Sequence, residues 1–548
     1  MAGGLAKTGR LMAEAKENAL MEKIVSLCKR RGVIYPSSEI YGGINGFWDY
    51  GPLGTELKRN VKELWWNAMT RQRDDVVGLE ATIIMAPQIW KASGHVDTFS
   101  DPMIDCKTCK GRFRADQTNE IPCPQKPSKM VSECHGEKTP PRAFNLMFQT
   151  YVGPVRDDSA IAYLRPETAQ AIFAQFKNVL ETSRQKVPFG IAQVGKAFRN
   201  EVTPRNYTFR SREFEQMELE FFIKPDEVVE AITGRVASAS EIANSKSPIE
   251  HGDWGWEAWH AYWVEERMRF YEGIGLPRAT LVEYWQKPEE LAHYARATVD
   301  ILFKFPFGTQ ELEGIAARSD FDLSQHERFS GKPMGVFDDE LRAAWARLDD
   351  GRKAELSKRY YQARLQYLTK SGVEPAAAER EAKEDAEGLA RGQYIPHVVE
   401  PSAGVDRLIL ALICHAYQED QMPDEKGKLE SRVVLKFHSR VAPIKAGVLP
   451  LLKNKPELVR KAMAVRDLLR PHMNVFYDDA GAIGRRYRRQ DEAGTPFCVT
   501  VDFETLEGVK DGPLAGQKDT VTVRHRDDGR QDRMQIAGVL PWLQERIR

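Results

Sequence analysis

The stretch FRNEVTPRNYTFRSREFEQMELEFF, Phe198 to Phe222, sets four arginines and five glutamates into an otherwise aromatic, strand-like segment. On a strand, successive side chains face opposite sides. Phe189, Ile191, Gln193 and Arg199 lead into a turn that holds Thr203, Pro204, Arg205 and Asn206. On the return strand Met217, Leu219 and Phe221 fall on one face, toward a core. Arg210, Phe214, Gln216 and Glu218 fall on the other. A guanidinium matches a pair of phosphate oxygens, a phenyl ring offers a plane for a base, and a carboxylate takes an ammonium. One strand face can thus hold the parts of a nucleotide and of an amino acid. A solvated hairpin laced with cross-strand ion pairs is the alternative.

The elements that must position this face read as follows. Leu53, Leu57, Val61, Leu64 and Trp65 have helical spacing behind the turn-rich GINGFWDYGPLG. Residues 159–222 read as strands around one helix, Thr168 to Leu180. Residues 225–300 read as mainly helical, with tryptophans at 254, 256, 259 and 263. Residues 337–392 form a highly charged helical block, expected as a surface insertion. Gly404 to Arg407 opens a helix that is apolar nearly all round, which predicts burial. A buried Arg407 requires an anionic partner. Residues 91–140 are loop-like and hold Cys106-x₂-Cys109, Cys123 and Cys134. That spacing suits one zinc ribbon of four thiolates; four unrelated buried thiols are the alternative.

From about Val433 strands alternate with helices, which predicts a small α/β domain with a largely parallel sheet. Residues 431–548 carry 22 Lys/Arg against 15 Asp/Glu. The clusters Arg485–Arg489, with Tyr487, and Arg524–Arg533 suit RNA phosphates and stacked bases, although a charge run is more commonly a solvated face.

The whole chain of 548 residues has zero net charge, which excludes a generic polyanion binder but not a local basic face. Lys7, Arg10 and Lys16 are followed by no apolar run, so the N-terminus reads as a helix start rather than a signal peptide. Leu408 to Cys414, the longest apolar stretch, is too short to span a bilayer. Seven cysteines are sparse and odd in number, which argues against a disulfide framework and for a reducing cytoplasm.

FRNE, Arg210, and REF followed by Glu218 resemble motif 2 of the class II aminoacyl-tRNA synthetases, in the form found in homodimeric glycyl-tRNA synthetases. YGPLGTELKRNVKELWW resembles motif 1, with Pro52 at its start, and EPSAGVDRLILAL resembles motif 3, with Arg407. LRPETAQAIF and ELEGIAARSDFDL resemble segments peculiar to the glycine enzymes, and the C-terminal part resembles the anticodon-binding domain shared with the histidyl, prolyl and threonyl enzymes.

The resemblance implies an α+β catalytic domain with an antiparallel sheet over residues 1–430, interrupted by insertions near 91–140, 225–300 and 337–392. An α/β anticodon-binding domain over 431–548 follows. It implies ATP held by Arg199, Asn200, Glu201, Phe209, Arg210, Phe214, Glu311, Leu312, Gly404 and Arg407, with Arg199 and Arg407 catalytic. In this reading Glu201 reads the adenine amino group, and Phe214 stacks on the base with Arg407 on its other side. Glu311 carries Mg²⁺. Glycine falls to Arg114, Glu167, Phe214, Gln216, Glu218, Glu400, Ser402 and Gly404. The expected partners are tRNA(Gly), glycine and a second copy of the chain, joined through residues 50–66. A related class II enzyme for another amino acid, and a non-catalytic RNA-binding relative, are the rivals.

Overall fold

The computed structural model describes residues 19–242, 252–292, 294–423 and 428–547. The helix expected at the extreme N-terminus lies mostly outside them, and the described part is helical over residues 19–31. A seven-stranded sheet organises the larger part. In chain order its strands are β1 (Val76–Gly78), β2 (Phe189–Phe198), β3 (Glu213–Ile223), β4 (Leu281–Trp285), β5 (Ala297–Phe305), β6 (Gly308–Ser319) and β7 (His397–Gly404). Their spatial order is β4-β5-β6-β7-β3-β2-β1. Every pairing is antiparallel except β1 on β2.

The two faces of β3 have separate fates, as alternation requires. Met217, Leu219 and Phe221 are fully buried in the main core. There Phe221 packs on Trp259 and Trp263 of the helix Trp256–Gly273, with ring centroids 4.8 and 5.1 Å away. Each such aromatic contributes roughly 1.5–3 kcal/mol by burial. On the opposite face Phe222 joins a second core with Phe173, Phe176 and Phe189. Moving along that same face, the side chains change from Phe222 to the buried acids Glu220 and Glu218, then to Gln216 and Phe214. The candidate site begins where the second core stops.

Four helices frame it. Helix α1 (Pro52–Trp66) starts at a proline, whose missing N–H costs nothing at that position, and buries Leu57, Val61 and Trp65. Helix α2 (Ala169–Ser183) covers the second core. Helix α3 (Trp256–Gly273) covers the first. Helix α4 (Val405–Ala416) is buried nearly all round, as its composition predicts. Residues 225–300, read from the sequence as an insertion, are part of this framework. They supply α3 and the strands β4 and β5. The charged block 337–392 is helical over Asp339–Arg347, Asp350–Lys370 and Pro375–Gly388. It is not a mere surface appendage: Leu341, Trp345, Leu356 and Tyr360 complete the second core, and Arg364 is buried against Asp320 and Asp385.

The C-terminal part has a five-stranded sheet: β8 (Ala446–Pro450), β9 (Val475–Tyr477), β10 (Phe497–Val501), β11 (Thr520–His525) and β12 (Gln531–Gln535), ordered β9-β8-β10-β11-β12. The β9-β8-β10 half is parallel and the β10-β11-β12 half antiparallel, so the sheet is mixed rather than largely parallel. Two segments escaped the sequence pattern. Central β8 is buried on both faces and shows no alternation, and edge β12 lies within the arginine-rich run. No helix among the described residues is long and apolar enough to cross a membrane.

Candidate functional site

A cleft on the open end of β3 is lined by Arg199, Glu201, Phe209, Arg210, Phe214, Gln216, Glu311, Leu312, Ser402, Gly404 and Arg407. Residues separated by two hundred positions meet here because β7 pairs beside β3, with Gln216 opposite Gly404 and Glu218 opposite Ser402. Arg199 donates from Nε to the Pro166 carbonyl at 3.0 Å, and its guanidinium lies over the Phe214 ring at 5.4 Å. Among the described residues it has no ion-pair partner, an arrangement suited to an incoming anion. Glu201 is buried and accepts from Arg210 Nε at 2.7 Å.

Arg407 departs from expectation. It is partly exposed rather than buried, lies over Phe209 at 4.6 Å, and faces Glu311 at 3.3 Å. Its neighbour Asp406 is the buried one. Asp406 accepts from Tyr50 and Lys58, at 2.6 and 2.9 Å, and from the Glu215 backbone N–H at 2.7 Å. Glu311 lies inside β6 rather than ahead of a strand. The pairing of β5 with β6 skips Leu312, with Leu302 opposite Glu311 and Ile301 opposite Glu313. Such a bulge re-aims the flanking side chains, and here Glu311 is half-exposed at the cleft while Leu312 is buried. Asp300 of β5 stands beside it; burial, followed by the Glu311 charge, pushes its carboxyl up to about 6.

Behind Phe214 the cleft ends in carboxylates. Glu218 accepts from the Ser402 hydroxyl at 2.7 Å, from the Thr168 backbone N–H at 3.1 Å and from the Thr168 hydroxyl. Among the described residues Glu218, Glu220 and Glu400 form the one group of three or more acids, thiols or imidazoles whose ligand atoms all lie within 4.8 Å of one another. Glu400 receives Arg318 at 2.7 Å, and Arg318 also holds Asp322. Burial raises Glu218, and Glu167 adds to it. Burial also pushes Glu400 up to about 8; Arg318 opposes this, while Glu218 and Glu167 reinforce it. Glu220 is fully buried with neither carboxylate oxygen bonded, and burial pushes its carboxyl well above the usual range. For Glu167 burial acts upward, but His95 at 3.3 Å, Arg318 and Arg199 together outweigh it and keep the carboxyl well below its usual range. A nook of acids that cannot all ionise together is completed by one cation.

Of the other residues proposed from sequence, Arg114 stands to one side, with Nη1 2.8 Å from Asp101, whose carboxyl feels Glu201 and Arg210. Asn200 uses its backbone N–H on Leu146. The four cysteines are all free thiols, and no three of their sulfurs lie within 4.8 Å of one another. Sequence reasoning missed Arg318, His95, Glu220 and Asp300. Arg318 carried a signal, since a cation four residues before Asp322 at a strand end predicts an ion pair.

The basic clusters of the C-terminal part are largely consumed internally. Arg486 is buried and donates to the carbonyls of Pro450, Leu451 and Asp478. Arg524 is bound by the buried Asp491 at 2.8 Å, and Arg526 by the carbonyls of Gly494 and Phe437. Arg485 and Arg530 remain exposed.

Two family models match the chain: the tRNA synthetase class II core domain (G, H, P, S and T) over residues 154–334, and the anticodon binding domain over residues 445–546. Among curated proteins, the chain is 43% identical to the glycine–tRNA ligase of Thermobifida fusca over 97% of its own length and 99% of that protein. It is 42% identical to that of Thermus thermophilus over 96% and 99%, and 43% identical to that of Treponema denticola over 94% of each. The chain belongs to the glycine–tRNA ligase family.

The seven-stranded sheet with its cleft is the class II synthetase core of a glycine–tRNA ligase family member, and the mixed five-stranded sheet is its anticodon-binding domain. Within this ligase framework the cationic cleft and the acidic nook are adjacent stretches of one strand face.

Proposed function

We propose that this chain activates glycine with ATP and passes the glycyl group to the 3′ end of tRNA(Gly). The observation that carries the reading is the run Phe214, Gln216, Glu218 on one face of β3, with Arg199, which has no ion-pair partner among the described residues, over its first member and the crowded acids at its end. In the first step a glycine carboxylate oxygen bonds to the α-phosphorus, and pyrophosphate leaves with the electrons of the broken P–O bond. In the second, a terminal ribose hydroxyl of tRNA attacks the glycyl carbonyl and AMP leaves. Arg199 neutralises the reacting phosphate and carboxylate, Arg407 takes the γ-phosphate, Phe214 supports the adenine ring and Glu201 reads its amino group. The Glu167, Glu218 and Glu400 carboxylates, with Ser402, hold the ammonium. No side chain acts as a nucleophile; positioning and charge neutralisation supply the rate.

Glu311 and Asp300 offer hard oxygen donors beside Arg407, and Mg²⁺ usually takes one or two carboxylates together with phosphate oxygens. These two residues would hold it, and its charge would be spread over the phosphates. Zinc on the four thiols is a structural rather than a chemical part of this reading.

Residues 1–430 are assigned to catalysis and 431–548 to the anticodon, in the cytoplasm. Dimerisation is assigned to residues 50–66. A hollow of about 1350 Å³ runs along the open flank of α1, lined in part by Glu56, Arg59, Lys62, Glu63 and Trp66. Glycine-dependent pyrophosphate exchange, run across twenty amino acids, tests the activity. Exchange with glycine alone is expected; exchange with another amino acid, or with none, would sink the reading.

A further inference from the structure

Glu220 is a buried acid that the proposed reaction leaves unused. The pairing of β3 with β7 sets Glu218 opposite Ser402 and Phe221 opposite Val399. Counting inward, Glu220 lies across from Glu400. The register skips this position and the one before it, where β7 carries Pro401 and so has no N–H to donate. Directly opposed side chains share a face, with Cβ atoms about 4.5–5.5 Å apart. Carboxylate oxygens of Glu218, Glu220 and Glu400 accordingly lie within 4.8 Å of one another.

The donors around Glu220 are committed elsewhere. On β2 it faces the apolar Ile191, while Gln193, opposite Glu218, gives its amide to the Thr168 carbonyl. Thr168 and Ser402 donate to Glu218. From β6, Arg318 donates to Glu400 Oε2 at 2.7 Å and to Asp322. From α2, Gln170 donates to Glu167 and Asp322, and its oxygen is bonded to His326 of the helix Phe321–Ser330. The charges that act on Glu220 are therefore Glu400, Arg318, Glu218 and Asp322. Glu220 itself is 0% exposed, and neither of its oxygens has a hydrogen-bond partner.

An ionised carboxylate without water or a donor is the costliest form such a side chain can take. Two opposed carboxyls also resist ionising together. A protonated carboxyl, by contrast, is an O–H donor, and the acceptor across the strand pair is Glu400. We propose that Glu220 is a positioning residue for glycine: it keeps a proton and shares it as a hydrogen bond with Glu400, so that Glu400 can ionise for the incoming ammonium. Empty, the pair holds two protons. On glycine binding Glu400 gives its proton to solvent and Glu220 retains its own. Arg318 and Glu220 then hold Glu400 from two sides. This role rests on the glycine-activation reading.

The test compares a variant that keeps a donor with variants that have none. Glu220→Gln retains an N–H and should hold the glycine KM within about twofold of wild type. Glu220→Leu removes the donor. It should raise the glycine KM about tenfold at pH 7 and move the fall of that KM with pH about one unit higher. The ATP KM should change less than about twofold in both. An apolar side chain replacing a buried, unbonded acid should leave the thermal midpoint unchanged or higher, and Glu220→Met provides a second donor-free variant of different shape. Infrared difference spectra of the full chain, wild type against Glu220→Gln, should show a protonated-carboxyl C=O band that persists when glycine is added. Absence of that band overturns the proposal. So does a glycine KM raised as much by glutamine as by leucine, because charge rather than a proton would then be needed. A glycine KM and pH profile unchanged in both donor-free variants overturns the positioning role. If the chain activates no amino acid, the band still reports on Glu220, and its presence upholds the retained proton while the activity falls.

Discussion

Two charge-dense stretches look alike in the sequence and end in opposite states. In Phe198–Phe222 the key guanidinium, Arg199, makes no direct ion pair among the described residues and faces a cleft, while burial raises the Glu218 and Glu220 carboxyls on the same side. In Arg485–Arg489 and Arg524–Arg533 the guanidiniums of Arg486, Arg524 and Arg526 turn inward and spend their donors on carbonyls and on Asp491. Composition counts charges but not their partners. A site leaves charge unsatisfied until something binds, whereas a structural ion pair is already complete. An arginine with five donors serves either purpose.

The sharpest way to break this contrast is Arg199→Ala. Glycine-dependent pyrophosphate exchange should fall by about 10³-fold or more, as when a preorganised charge donor is removed from a reacting centre. The thermal midpoint should stay put; a large loss of stability would make Arg199 structural and erase the distinction. Arg524→Leu should do the reverse. Breaking its buried pair with Asp491 should cost about 3–5 kcal/mol in denaturant unfolding of the C-terminal domain, with exchange unaffected. Glu218→Gln should raise the glycine KM by roughly 10–100-fold, the worth of a charged hydrogen bond, with little change in the ATP KM.

A smaller effect follows from pH. Glu400 lies raised to about 8, so the empty nook holds its proton at neutrality. An ammonium favours the ionised form, so glycine binding should release a proton. The glycine KM should therefore fall as pH rises from 6 toward 8, by up to about tenfold per unit, and Glu400→Gln should flatten that slope. Least of all, Arg485→Ala and Arg530→Ala should each weaken tRNA binding by about twofold to fivefold, as single exposed phosphate contacts do, with exchange intact. A large effect there would restore the basic clusters as a principal contact surface.

Much of this was legible beforehand because alternation and helical spacing are local signals. Met217, Leu219 and Phe221 had to leave Gln216 and Glu218 on the far face, and Leu57, Val61 and Trp65 had to share a helix side. The resemblance in FRNE and EPSAGVDR then brought Arg199 and Arg407 to one cleft, as the structure does. What the chain did not announce were features set by long-range pairing. The Leu312 bulge exists only against Leu302 and Ile301. His95 reaches Glu167 from an element seventy positions earlier. β8, buried on both sides, has no pattern to read, and residues 337–392 hide their few core-forming side chains among many charges.

The Asp406 carboxylate joins three elements. Tyr50 and Lys58 reach it from either side of the α1 start, the β3 backbone donates to its other oxygen, and its next neighbour in the chain is Arg407. A displacement of α1 by any protein docked along its outer flank would be felt one residue away from Arg407, the guanidinium proposed to meet the nucleotide tail. If the proposed dimer forms on that flank, a single acid would gear its association to the proposed grip on triphosphate, and an isolated subunit would keep its fold while losing purchase on its fuel.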